Sequence, residues 1–215
     1  EELFRRALAL QPGAVVLWAN LGLCLHDAGQ LDAATQALQR ALEIDPNHRD
    51  ALLNAACVSI GLGKIDAGYG LLQKTLRIDP DFADAHTQLG QLLLLCGDFA
   101  AGWPEYEWRL QCADAGHGHD DSLAPWDGSV DLTRDLMVYA EQGLGDQIMF
   151  ASCLPDAMSR VRHCAVECDP RLVDLFARSF PGASFRPHKP KSGPDRAASG
   201  NRPDYQIHLG SLPAL

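Results

Sequence analysis

Three prolines recur at a fixed interval in the first half of the chain. Pro12, Pro46 and Pro80 lie 34 residues apart, and each ends one of the related strings ALALQP, ALEIDP and TLRIDP. A fixed period of this size indicates helical hairpins that stack on their neighbours. Because the residue before a proline is pushed out of the α region, Asp45 and Asp79 mark the break between one hairpin and the next.

Between the first two prolines, large and small residues follow a specific spacing. The positions are Trp18, Leu21, Gly22, Leu25, Ala34 and Leu38. This pattern resembles the tetratricopeptide (TPR) repeat, with Leu where Tyr and Phe are usual. Small residues at Gly22 and Ala34 let the two helices of a hairpin cross closely. In the next two repeats Gly68 and Gly102 replace this alanine, which predicts either very close packing or weakened helices.

The TPR resemblance predicts a helical solenoid over residues 1–110. It divides into a partial repeat over 1–13 and full repeats over about 14–47, 48–81 and 82–110, and further repeats are expected upstream. Polar positions of each first helix line the groove of such a solenoid, and here they are Asn20, Asn54 and Gln88. An asparagine side chain both donates and accepts hydrogen bonds, as holding an extended peptide requires. The groove therefore predicts a protein or peptide partner, and a solvated polar face is the alternative.

Charge and composition exclude several classes of partner. The net charge is −10, which repels a nucleic-acid backbone and an anionic membrane surface. No apolar run reaches the roughly 18 residues of a membrane span and no signal segment opens the chain, so we expect a cytoplasmic protein. Seven cysteines are scattered through helical and strand patterns, which predicts reduced, mostly buried thiols.

The helical pattern stops near residue 110, and residues 111–130 are predicted to be a linker. Its Cys, His and Asp residues fit no structural zinc spacing, so no metal site is expected. From 131 to 215 strands alternate with helices, which predicts a parallel sheet. The predicted strands are LMVYA, CAVEC, SFRP and YQIHL. One helix is predicted from about Asp146 to Arg162, interrupted near Pro155, and another with Asp169 as its N-cap and Pro170 as its first helical position.

A glycine turn joins the first of these strands to a helix. Gly143 and Gly145 bring backbone N–H groups to the carboxyl edge of the sheet, where open α/β folds bind ligands. The dinucleotide fingerprint requires a third glycine, and Ile148 stands in its place. The sequence thus favours an anion or sugar at this turn over a dinucleotide. A nucleotide-binding regulatory domain is a further alternative, and it predicts saturable binding of a nucleotide to this chain.

Four segments of the chain resemble bacterial TPR proteins fused to a glycosyltransferase domain. They are GDFAAGWPEYEWRL, PWDGS, YAEQGLGDQIMFASCLP and VECDPRLVDLF. The transferase is related to the heptosyltransferases and has the GT-B fold of two facing Rossmann-like halves. The resemblance implies a TPR solenoid followed by the N-terminal, acceptor-side half of that domain.

The same resemblance implies roles for individual residues. Asp146 would be the catalytic base that takes a proton from an attacking hydroxyl, although an Asp at a helix start also serves as a cap. Gln142, Gly143, Gly145 and His208 would contact a glycan acceptor. The nucleotide-sugar donor belongs to the C-terminal half of a GT-B fold, so no cofactor is expected of this chain and it should be inactive alone. A non-catalytic protein-interaction scaffold is the competing interpretation.

Overall fold

The computed structural model describes residues 1–112, 120, 122–188 and 202–215. The chain divides into two compact units, Glu1–Ala113 and Asp114–Leu215, called here the repeat unit and the sheet unit. None of the helices in the described ranges has the length and apolar character needed to cross a membrane.

The repeat unit consists of antiparallel helical hairpins. Its helices are α1 (Glu2–Leu10), α2 (Val15–Asp27), α3 (Leu31–Ile44), α4 (Arg49–Gly61), α5 (Ile65–Ile78), α6 (Ala83–Leu95) and α7 (Phe99–Tyr106), followed by a 3₁₀ helix over Glu107–Gln111. The pairs α2–α3, α4–α5 and α6–α7 form three hairpins, and α1 packs against α2. Each turn within a hairpin contains a glycine with positive φ: Gly29 (71°), Gly63 (73°) and Gly97 (83°). These turns repeat every 34 residues because glycine alone adopts this backbone conformation without strain.

Glycines inside the hairpins mark close helix crossings. A Cβ atom on Gly22 would lie 2.5 Å from Leu38 Cγ, and one on Gly68 would lie 2.5 Å from Ile60 Cγ1. One on Gly102 would lie 2.8 Å from Leu94 Cγ. Of the two alternatives for Gly68 and Gly102, the structure therefore favours close packing.

The backbone carbonyl of each periodic proline is contacted by a side-chain nitrogen. Trp18 Nε1 donates to the Pro12 carbonyl at 2.9 Å, and the ring of His86, which occupies the same repeat position, lies 2.8 Å from the Pro80 carbonyl through Nε2. Leu52 stands at this position in the second repeat, and there Lys74 Nζ donates to the Pro46 carbonyl at 2.5 Å. All three proline carbonyls are thus satisfied, which fixes the chain where one hairpin passes to the next.

The sheet unit is built on five parallel strands in the order β1-β5-β2-β3-β4. They are β1 (Ala124–Pro125), β2 (Asp131–Tyr139), β3 (Val161–Cys168), β4 (Ala183–Pro187) and β5 (Tyr205–His208). The chain runs from β2 outward through β3 and β4 and then returns to the other side of β2 as β5. The predicted parallel sheet is confirmed.

Within the described residues, three short helices connect β2 to β3 and β3 to β4: α8 (Leu144–Phe150), α9 (Leu154–Arg160) and α10 (Val173–Ser179). The core lies along the central strands, where Leu136, Val138 and Val166 are fully buried. Burial raises the pKa of the Cys164 thiol to about 12. All seven cysteines are free. The prediction that they are mostly buried was wrong, because only Cys164 and Cys168 are buried and Cys96 is exposed.

Several predicted boundaries in the sheet unit were wrong. The helix predicted to reach Arg162 ends at Arg160, because β3 begins at Val161. Asp169 and Pro170 do not cap α10, whose N-cap is Leu172; instead Asp169 Oδ1 accepts from the Arg171 N–H in a turn. The predicted linker over 111–130 contributes β1, which pairs with β5.

Candidate functional site

The three predicted groove residues lie on one face of the repeat unit, formed by the first helix of each hairpin. We call this the first-helix face, defined by four positions of α2 and their equivalents 34 and 68 residues later. Its residues are Val16, Asn20, Leu23 and Asp27 on α2, Asp50, Asn54, Cys57 and Gly61 on α4, and Asp84, Gln88, Gln91 and Leu95 on α6. Asn20 is exposed, while Asn54 and Gln88 are half-buried.

Two of these amides connect neighbouring first helices. Asn54 Nδ2 donates to the Ala19 carbonyl of α2 at 3.4 Å, and Cys57 Sγ donates to Gln88 Oε1 at 3.6 Å. Burial raises the pKa of the Cys57 thiol to about 11, so it remains a neutral donor at physiological pH. Asn54 and Gln88 therefore align consecutive helices, and their assignment to a peptide-binding groove remains a prediction.

The repeat unit also has a cavity that the sequence did not predict. It has a volume of about 310 Å³ and lies between α3 and α5 over α4. Its walls are mostly apolar, with Leu38, Leu42 and Val58 among them, and Gln39 and Glu43 also line it. The residues come from three helices, so only the packing of two hairpins creates the cavity.

The predicted sugar-site residues lie at the carboxyl ends of β2 and β5. These strands are adjacent in the sheet, and their carboxyl ends meet at the edge where open α/β folds bind ligands. His208 pairs in register with Tyr139, and their rings lie 6.1 Å apart. Beyond the strand ends, Glu141 Oε1 accepts from the Gly210 N–H at 3.1 Å. The structure thus joins the loop after β2 to the segment after β5.

The glycine turn itself has a defined local structure. Gln142 adopts a left-handed conformation with φ of 66°, and Gly143 is the N-cap of α8. Asp146 is the third residue of this helix and not its N-cap, and its Oδ2 accepts from the Gly143 N–H at 3.2 Å. Asp146 therefore does cap the start of α8, but from the third helical position and not from the predicted N-cap position. A Cβ on Gly145 would meet nothing within 4 Å, so packing does not require glycine there.

Gln147 was not singled out from the sequence, although it is almost fully buried behind the turn. Its Oε1 accepts from the Asp169 N–H at 3.0 Å, and its Nε2 donates to the Gln142 carbonyl at 3.4 Å. The side chain therefore connects the loop after β2 to the loop after β3. A buried amide in the first turn of an apolar helix was the available signal, because such a group must find partners.

Charged side chains lie in the last residues of β3 and β4 and in the segments that follow them, at the same edge of the sheet. Burial alone would raise the pKa of the Glu167 carboxyl, but its contacts with His188 and Arg186 hold that pKa below the usual range. Its Oε2 lies 3.0 Å from Arg186 Nε. Hydrogen bonds from Arg171 lower the pKa of Asp169 to about 2. The carboxylates of Glu167 and Asp169 thus form ion pairs with neighbouring arginine side chains.

No metal centre emerges from the part of the chain that the structure describes, where no three His, Cys, Asp or Glu side chains are grouped for an ion. Of the linker residues weighed as ligands, His117, His119 and Asp121 lie outside the described residues. Cys112 packs in the repeat unit, with Sγ 3.5 Å from Thr87 Oγ1.

Comparison with known proteins identifies the family of the repeat unit. The sequence profile of the cilia and flagella-associated protein 70 middle TPR-like domain matches residues 1–124. The chain belongs to this TPR-like family. The predicted TPR repeats are thereby confirmed, whereas no comparison points to a glycosyltransferase.

Individual relatives extend the comparison. Protein FlbA of Caulobacter vibrioides is 31% identical over 196 residues, covering 87% of this chain and 33% of FlbA. This match is longer than the repeat unit, so FlbA also has a counterpart of sheet-unit residues. The protein CTR9 homolog of Arabidopsis thaliana is 42% identical over 53 residues, which is 24% of this chain and 5% of that protein. The chain spans a third or less of the length of these curated relatives.

Among solved structures, YrrB is described as a TPR protein with an unusual peptide-binding site. Its identity to this chain is 19%, with a TM-score of 0.46 over 52% of this chain and 57% of YrrB.

Proposed function

We propose that this chain is a protein-interaction module whose first-helix face binds an extended peptide segment. The observation that carries the proposal is the recurrence of Asn20, Asn54 and Gln88 at equivalent positions of three consecutive first helices. A row of side-chain amides spaced by the repeat matches the repeating donors and acceptors of a peptide backbone. The exposed apolar side chains of Val16 and Leu23 on the same face supply contacts for alternate side chains of the peptide.

The test is an unbiased selection of 12-residue peptides by phage display against the whole chain. Selected peptides are then measured by fluorescence anisotropy with Asn20→Ala, Asn54→Ala and Gln88→Ala. Since one hydrogen bond contributes about 0.5–1.5 kcal/mol, we expect each change to weaken binding roughly two- to tenfold. Gln39→Ala, which removes an exposed amide from the wall of the cavity between α3 and α5, is the matched control.

Retention of binding by the three first-helix variants, together with loss in Gln39→Ala, would overturn the proposal and move the peptide site to the cavity between α3 and α5. Circular dichroism of Asn54→Ala distinguishes lost binding from lost structure, because the Asn54 amide also bonds to the Ala19 carbonyl.

A second candidate function concerns the sheet unit, as the acceptor-side, Rossmann-like half of a GT-B sugar-transfer cleft. It is supported by the position of Gln142, Gly143 and His208 at the carboxyl ends of the adjacent strands β2 and β5, the edge at which open α/β sheets hold ligands. In this proposal Asp146 takes the proton of an acceptor hydroxyl, and the donor sugar nucleotide is bound by another half of the domain.

This candidate is tested by titrating the ¹⁵N-labelled chain with a panel of monosaccharides and sugar nucleotides. We expect amide shifts at Gly143, Gly145 and His208, which Asp146→Asn reduces and Asp156→Asn on α9 does not. Absence of shifts at these amides across the panel would leave the sheet unit as part of a non-catalytic scaffold.

A further inference from the structure

The first-helix face combines exposed apolar side chains with a single sign of charge. Val16, Leu23 and Leu95 are 56%, 42% and 70% exposed, so their side chains are open to contact with a ligand. Val16 and Leu23 lie on either side of Asn20 along α2, and Leu95 follows Gln88 and Gln91 along α6. The face therefore offers both apolar contact and hydrogen bonding to a ligand.

The charged members of this face are all acidic. Asp27, Asp50 and Asp84 are exposed, and none of the twelve positions that define the face holds Lys or Arg. Burial is the largest cause of the raised pKa of the Cys57 thiol, and a backbone hydrogen bond opposes it. The Asp27 carboxylate raises that pKa further, so the charge of Asp27 lies close to the neighbouring helix α4. The negative potential thus extends across adjacent helices.

Two side chains beside these carboxylates can carry a positive charge, but neither neutralises the face. His26 Nδ1 lies 3.3 Å from Asp27 Oδ1, and the ring is charged only when it is protonated. Arg49 Nε lies 3.4 Å from Asp50 Oδ1, but the same guanidinium donates through Nη1 to Asp79. It also stacks over the Phe82 ring, with Cζ 4.4 Å from the ring centroid. One positive charge is therefore shared between two carboxylates, and the side chain is held at the start of α4.

We propose that the peptide bound by the first-helix face is basic, with Lys or Arg alternating with apolar side chains along an extended segment. This inference rests on the proposed function and narrows it to one class of partner. The carboxylates of Asp27, Asp50 and Asp84 attract a cationic segment and repel an acidic one. Lys or Arg stems also cover apolar surface while their charged ends reach the carboxylates.

The experiment uses three 12-residue peptides that share the same Val, Leu and Gly positions and carry Lys, Ser or Glu at all others. Their affinities for the whole chain are measured by fluorescence anisotropy in 50 and 300 mM salt. We expect the Lys peptide to bind at least about tenfold more tightly than the Glu peptide, and salt to weaken its binding because it screens exposed charges.

A variant with Asp27→Asn, Asp50→Asn and Asp84→Asn locates the effect. Because an exposed ion pair changes affinity by roughly twofold to fivefold, we expect the triple variant to bind the Lys peptide about tenfold more weakly. The matched control removes three charges from second helices with Asp32→Asn, Glu43→Gln and Asp66→Asn, and it should lose less than twofold.

Three outcomes would overturn the inference: equal binding of the three peptides, tighter binding of the Glu peptide, or equal losses in the two triple variants. Failure of all three peptides to bind would also overturn it. The proposed function has a separate test, since the unbiased selection can yield first-helix-face ligands that are neutral or acidic. In that case the peptide-binding function stands and the basic partner does not.

Discussion

The repeat unit and the sheet unit are stabilised by contacts of very different separation along the chain. In the repeat unit, Trp18 donates to the carbonyl of Pro12, and Gly22 packs on Leu38. In the sheet unit, β1 pairs with β5, so that Ala124 lies beside Tyr205. A period of 34 residues therefore specifies each hairpin through contacts that are close in sequence. The sheet depends instead on pairing between segments that are far apart in sequence.

This difference predicts how damage spreads in the two units. Stability in a repeat array is approximately the sum of single repeats and their neighbouring interfaces, so a substitution acts mainly on its own hairpin. A central strand that pairs with neighbours on both sides has no such independence. The following predictions test this contrast from the largest expected effect to the smallest.

The largest effect is expected in the centre of the sheet. Leu136 lies on β2 with no exposed area, and Leu136→Ala should lower the free energy of unfolding of the sheet unit by about 2–5 kcal/mol, through lost burial and the cavity left behind. Hydrogen exchange measured by mass spectrometry should show faster exchange in β2, β3 and β5 together. Leu132→Ala is the matched control on the same strand: Leu132 is 61% exposed, and its removal should change stability by less than about 0.5 kcal/mol.

Faster exchange confined to β2 in Leu136→Ala would contradict the claim that the sheet responds as a unit.

A smaller effect is expected at a helix crossing of the third hairpin. A Cβ on Gly90 would lie 2.5 Å from the Tyr106 nitrogen, and backbone cannot move aside as a side chain does. Gly90→Ala should therefore destabilise the repeat unit by about 1–3 kcal/mol in urea unfolding followed by helical circular dichroism. Gly70→Ala on α5, where a Cβ meets nothing within 4 Å, should stabilise it by about 0.5–1 kcal/mol.

If Gly90→Ala is as stable as Gly70→Ala, the crossing is looser than the structure indicates. If the loss from Gly90→Ala extends to hydrogen exchange in α2 and α3, the hairpins are more strongly coupled than a repeat array allows.

The contrast also explains what the sequence could predict. Periodic prolines and the spacing of Trp18, Gly22 and Ala34 determined the repeats because each rule acts within one hairpin. Strand patterns and the glycine turn predicted the parallel sheet. The pairing of β1 was missed, since two residues without periodicity become a strand only when β5 lies beside them. Gln147 was missed for a related reason, because its two partners lie on different loops.

Gln147 offers a third prediction, at the candidate site of the sheet unit. Gln147→Leu keeps the approximate volume but removes the acceptor of the Asp169 N–H and the donor to the Gln142 carbonyl. An unsatisfied buried group costs about 1–3 kcal/mol, so stability should fall within that range. Amide exchange should accelerate at Asp169 and Gly143. Gln142→Leu, an exposed neighbour whose carbonyl is the group bound, controls for loss of an amide at the turn.

The smallest effect concerns a surface carboxylate that follows β3. Arg171 donates to Asp169 through Nε and Nη2, both at 2.9 Å, and these bonds lower the pKa of the Asp169 carboxyl from 3.8 to about 2. Because the folded pKa lies below the unfolded one, the stabilisation is present in full above about pH 4 and is lost as pH falls from there toward about 2.

Carbon-13 titration of the Asp169 side chain should show this low midpoint, and Arg171→Ala should move it toward 3.8. A midpoint near 4 in the unsubstituted chain would mean that the turn after β3 is not held as the structure shows. The Gln147 bond to the Asp169 N–H provides the discriminating case. If Gln147→Leu also raises the Asp169 pKa, the loops after β2 and β3 are coupled through that one side chain, which is the long-range dependence that the repeat unit lacks.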